Sequence, residues 1–177
     1  MLSHIKLTGN LKVSVHDYIR DSWEVVCDDK NLIVTSGLGV VPSLLTLNEI
    51  FTDVNLTETK KKRLHSIRMG SSQVDTASTY TNLVTPIIGY ELAAVDIVLL
   101  GASFTISRTM PLGEGNGTTF REAALFTKGD YSAGDPISAP ELSTPQGTMF
   151  ARKTHAGVAK TGLIQIRYDW TISLAAG

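Results

Sequence analysis

Few side chains in this sequence can do chemistry, and their spacing limits what they could do. The histidines are His4, His16, His65 and His155. None stands at metal-ligand spacing from another histidine, a cysteine or a carboxylate, such as the i,i+4 pair that puts two ligands on one helix face. The sequence implies neither a metal nor a cofactor. Asp28-Asp29 and Asp17/Asp21 are carboxylate pairs. Acid–base catalysis needs a set separation between its carboxylates, which such common loop pairs do not specify. No serine lies in a G-x-S-x-G context, and no Ser-His-Asp set is marked by its neighbours. Gly113-Glu-Gly-Asn-Gly117 fits no phosphate-binding pattern, and no helix signal follows it. A hairpin-type turn with positive φ explains it. Cys27, the single cysteine, sits in a strand-like run beside Asp28 and Asp29. Their charge opposes a reactive thiolate, so it reads as a small apolar filler. No catalytic residue is expected, and the chain does not read as an enzyme.

Contact residues are easier to nominate. Lys60, Lys61, Lys62 and Arg63 form an unbroken positive run, suited to a solvated loop, a helix end or an acidic partner. Arg121 and Glu122 are charged within the strand-like run Phe120–Phe126, so they should pair across a sheet or across an interface. Tyr80 and Tyr131 fall in polar, turn-rich stretches and are expected to touch a partner. Tyr168 and Trp170 lie on the apolar side of their strand and read as core. Together with Tyr18, Trp23 and Tyr90, these aromatics could also build a sugar-stacking platform. Lys plus Arg is 16 and Asp plus Glu is 17. That balance lacks the basic excess of a nucleic-acid footprint and does little to oppose self-association.

The elements that must position these residues are mostly strands. From Ile164 to Leu174 every second residue is apolar: Ile164, Ile166, Tyr168, Trp170, Ile172 and Leu174. Side chains alternate faces along a strand, so this is one long strand closing an antiparallel sheet. Residues 5–16 alternate in the same way, and Trp23–Val26 reads as their partner. Val98, Leu100, Ala102, Phe104 and Ile106 predict a second long strand over 92–108, with Val95–Leu100 buried on both sides. Residues 36–51 carry apolar positions three or four apart, the stripe of a short helix. The stretches 70–85 and 128–147 are rich in turn formers and read as surface excursions. A loop is expected around His155-Ala-Gly157. The first residues, Met-Leu-Ser-His-Ile-Lys-Leu, lack the apolar core expected of a signal peptide, and the apolar runs fall short of the ~20 residues of a membrane span. At 177 residues, 42% of them hydrophobic, the expectation is a single domain over 1–177. Its class is mainly β: an antiparallel β-sandwich with one short helical insert near 36–51.

Four segments carry a resemblance. They are Lys30–Leu38; Ile67–Thr79; Asn116–Phe126; and Met149–His155 followed by Lys160 and Arg167–Ser173. In order and spacing these look like a family of small structural proteins from tailed bacteriophages, of tail-fibre, baseplate or neck type. Ser72 and Ser78 stand where the family pattern often has Gly and Leu. The resemblance implies a non-catalytic virion component, made in the host cytoplasm, assembling as a homo-oligomer (trimer or ring) with other virion structural proteins. It implies neither a nucleic-acid nor a membrane partner. The alternatives are a capsid decoration protein and a module binding a host-surface glycan. With Gly177 directly after the last strand, an assembly or attachment role is expected before direct host recognition.

Overall fold

The computed structural model describes residues 5–35, 64–92, 96–127 and 147–176. The helix expected over 36–51, the Lys60–Arg63 run and Tyr131 lie outside these residues, as does nearly all of 128–147. Every regular element among the described residues is a strand: β1 (Ile5–Asp17), β2 (Ser22–Ile33), β3 (Leu64–Gly70), β4 (Pro86–Glu91), β5 (Ile97–Leu100), β6 (Ser103–Met110), β7 (Thr119–Thr127), β8 (Met149–Ala159) and β9 (Ile164–Ala176). The pairs β1–β2, β1–β9, β2–β8, β3–β4, β3–β7, β5–β6 and β6–β9 are all antiparallel. The mainly-β, antiparallel class read from the sequence holds.

The chain forms two compact units. The first takes Met1–Asn31, Ala93–Phe120 and His155–Gly177, and the second takes Leu32–Leu92 and Arg121–Thr154.

In the first unit the strands run in the order β2-β1-β9-β6-β5. The alternation of β9 explains its place there. Ile166, Tyr168, Trp170 and Ile172 are buried on one face, beside Leu11 and Val13 of β1 and Phe104, Ile106 and Met110 of β6. Each such side chain contributes about 1.5–3 kcal/mol by leaving water. The other face is a polar ladder. Ser103 pairs with Ser173 at 2.8 Å, Thr105 with Thr171 at 2.9 Å, and Ser107 with Asp169 at 2.5 Å. The closing strand is not an edge needing a neighbour, because β1 and β6 flank it on both sides. Gly9-Asn10 lies within β1, whose register shift against β2 falls at Val13/Ser14.

The single strand expected over 92–108 is instead a hairpin. Gly101, at φ 60, occupies the first central position of a two-residue turn. A type II′ turn requires a positive φ there, which glycine takes without a Cβ clash. The reversal sets Val98 opposite Thr105 and Leu100 opposite Ser103. Both apolar residues therefore share the polar face, 51% and 70% exposed, rather than the face of Phe104 and Ile106. Burial on both sides does not hold for them. The loop expected at His155–Gly157 also differs, since β8 continues to Ala159. Its end is secured by Lys160 N–H to Thr118 O at 2.8 Å and Gly117 N–H to Lys160 O at 2.9 Å. Ladder bonds of this kind override the weak strand preference of Ala and Gly.

In the second unit the order is β4-β3-β7-β8, with the end of β2 beside β8. β3 is buried along its whole length. Val34, Leu83, Ala124, Phe126 and Met149 form a core cluster, and Tyr80 packs against it.

Candidate functional site

The second unit holds a fully buried ion pair. Arg152 Nη2 lies 2.7 Å from Glu122 Oε2, and neither side chain is exposed. Arg152 Nε donates to the same oxygen at 3.0 Å. Burying two charges costs several kcal/mol per ion unless further hydrogen bonds satisfy them, and here they are supplied. Glu122 Oε1 accepts from the Thr85 amide at 2.8 Å and the Ser72 amide at 3.4 Å, and Oε2 accepts from the Val84 amide at 3.2 Å. Arg152 Nη2 also donates to Val74 O at 2.9 Å and Nη1 to Thr76 Oγ1 at 3.5 Å. Its guanidinium stacks over the Tyr80 ring at 4.9 Å. One ion pair thereby holds both ends of the excursion 71–85. Gly70 makes room for this, since a Cβ there would overlap Thr85 O and the Glu122 carboxylate.

Two further polar groups lie in buried β3. The Arg68 guanidinium stacks on Phe126 at 4.3 Å. His65 Nε2 lies 2.9 Å from Glu91 Oε1, so this histidine meets a carboxylate on the neighbouring strand β4. Among the described residues no group of three or more His, Cys, Asp or Glu side chains could hold a metal ion.

The first unit has its own brace. The Lys160 ammonium donates to Leu112 O and Asn116 Oδ1, both at 3.0 Å, and to Thr161 O at 2.9 Å. It closes the glycine-rich turn over 111–118. Burial pulls its pKa below the usual lysine value, against the opposing pull of the Glu114 carboxylate.

At the same end of that unit, beside the start of β9, the β1–β2 hairpin presents aromatic groups. Tyr18 and Trp23 are 46% and 51% exposed, and Ile19, Val25 and Leu163 are exposed as well. His16 packs edge-on to Tyr18 at 4.5 Å and against Trp23 at 5.0 Å. Its Nε2 lies 3.3 Å from Asp21 Oδ1, and the Asp17 carboxylate caps the turn through the Ile19 amide at 2.8 Å. A Tyr18 N–H to Leu163 O bond at 3.0 Å ties the tip to the start of β9.

Of the residues nominated from sequence, Glu122 and Tyr80 meet at Arg152. Glu122 has no exposed surface to offer a second subunit, and Tyr80 packs inward on the core cluster. Arg121 is half-buried. Sequence reasoning missed Arg152 as the centre of the cluster and Lys160 as a brace. Both lie in polar-looking stretches, and only tertiary pairing shows what they serve. The tip aromatics carried a readable signal, Tyr18 and Trp23 closely following Asp17 and Asp21. No protein-family model, curated protein or solved structure matches this chain.

Proposed function

We propose that this chain is a structural component of a tailed-phage virion, a β-sandwich domain that self-assembles and docks to other virion proteins of the tail, neck, baseplate or fibre attachment. It is non-catalytic, and after synthesis in the host cytoplasm it resides in the particle. One observation supports this reading: the segments that carry the resemblance converge on internal braces. Ser72, Val74 and Thr76 of the second segment, Glu122 of the third and Arg152 of the fourth meet in one buried cluster. Lys160 of the fourth bonds Asn116 of the third, and the Thr35 amide of the first bonds Ser78 O of the second at 2.9 Å. Charged side chains spent on holding loops in place suit a rigid building block. In an assembly, Lys60, Lys61, Lys62, Arg63, Arg121 and Tyr131 are the contact candidates. Reversing Lys60–Arg63 to glutamate should lower the copy number in purified particles, as read by quantitative mass spectrometry. Unchanged incorporation would remove that run from the docking surface.

A second reading has its own support. Exposed Trp23 and Tyr18 beside Asp17 and Asp21 form the kind of platform that stacks on a sugar ring and bonds its hydroxyls. A host-surface glycan would then bind at the hairpin tip. A glycan array should give hits that Trp23→Ala abolishes, and an array without hits would end this reading.

A further inference from the structure

β5 is the last strand at one side of the first unit's sheet. Its outer backbone groups can be identified. In a two-residue hairpin the residues flanking the turn bond each other, so Leu100 and Val98 aim their N–H and C=O groups at β6. The Leu174 N–H to Ala102 O bond at 2.9 Å fits this phase, because it turns even-numbered residues of β6 toward β9. Ile97 and Leu99 therefore direct their backbone groups away from the sheet, and no described strand receives them. Beside them, Val98 and Leu100 are exposed on the polar face, as Trp23 and Val25 are on its far side.

The two sides of this sheet are guarded differently. β2, beyond β1, carries Glu24, Asp28, Asp29 and Lys30 and a register shift against β1, and its last residues Leu32 and Ile33 are already paired with β8. Charges and bulges are the devices that keep an edge from pairing with another chain. β5 reads Ile-Val-Leu-Leu, with no charge, proline or register shift. Asp96, just before it, is drawn to Arg108 of β6 at 3.6 Å, so the nearest acidic charge is held within its own sheet.

We infer that β5 is a homotypic docking edge, pairing antiparallel with β5 of a second copy of this chain about a two-fold axis at Val98. This register uses every outward group: Ile97 bonds Leu99 of the second copy, and Leu99 bonds its Ile97. Val98 meets Val98 at the non-hydrogen-bonded position, where side chains come closest. Such an interface is self-complementary, as two-fold contacts are, and an uncharged strand offers a second copy no repulsion. The inference rests on the self-assembly in the reading above and gives it a two-fold contact, which closes at two copies rather than at the expected trimer or ring.

The test is light scattering and sedimentation across the micromolar range on three forms of the whole chain. Wild type should dimerise. V98K/L100K places like charges across the axis and should weaken the dimer by about tenfold or more. V25K changes an equally exposed valine on the guarded side and should leave the dimer intact. Independently, V98C in a C27S background should oxidise to a disulfide-linked dimer. A wild-type assembly indifferent to V98K/L100K, or broken by V25K, would overturn the β5 edge while leaving self-assembly standing. A wild-type monomer throughout, with no V98C cross-link, would overturn both; particle incorporation would then decide the virion reading by itself.

Discussion

Replacing Glu122 with glutamine keeps the shape of the side chain and removes its charge. Both carboxylate oxygens are in use, so the amide nitrogen has no acceptable place. Set at the Oε1 position, it faces the Thr85 and Ser72 amides, which now stand at 2.8 and 3.4 Å from a donor. Set at the Oε2 position, it faces Arg152 and the Val84 amide. The first arrangement is the cheaper. It orphans the Thr85 amide, at about 1–3 kcal/mol, and leaves Arg152 with a neutral acceptor. Removing one partner of a buried pair typically costs about 3–5 kcal/mol, so we expect E122Q to lose about 4 kcal/mol in urea unfolding. That is a large share of the roughly 5–15 kcal/mol that stabilises a domain. R152M should cost a similar amount. The double variant should cost less than the sum, with a coupling of about 2 kcal/mol or more. Hydrogen exchange gives a local readout, since the Thr85 and Val84 amides should lose protection before the amides of β3. A loss below about 1 kcal/mol, or unchanged exchange at these amides, would refute the claim that this pair anchors the excursion.

Other expectations concern the first unit. Gly101→Ala meets no neighbouring atom but keeps a φ of 60, so it should cost about 1–2 kcal/mol from the backbone alone, and Gly101→Asn less; equal stability in denaturant melts would mean the turn relaxes. The Tyr168 hydroxyl is buried without a hydrogen-bond partner among the described residues, so Tyr168→Phe should be neutral or stabilising by about 1 kcal/mol. Burial pushes that phenol's pKa up from 10.0, so the unfolded chain loses the proton first and stability falls as pH rises past 10. Tyr168→Phe should flatten that alkaline fall, and an undiminished slope in the variant would place its source elsewhere.

The fold was most legible where one physical signal ruled. The alternation of Ile166, Tyr168, Trp170 and Ile172 set which face of β9 is buried, and the pairing of residues 5–16 with Trp23–Val26 followed from similar patterns. It failed in the run through Gly101-Ala102, where apolar residues on both sides of the turn hid the reversal. A strand pattern continues through a turn unnoticed when the turn residues are small and apolar, and every residue beyond it then changes face. The position of β9 between two strands was also hidden, because alternation marks a buried face and says nothing of which edges are paired. At the site, Glu122 could be expected to find a partner, but not Arg152, 30 residues away on another strand. Loop amides that complete a buried ion pair leave no pattern of their own.

The most direct test of the virion reading is a cryo-EM map of the particle whose genome encodes this chain. A virion component should appear there as symmetry-related copies of this β-fold at a tail, neck, baseplate or fibre-attachment position, each in contact with other virion proteins. Purified infectious particles that contain no copy of the chain would contradict it.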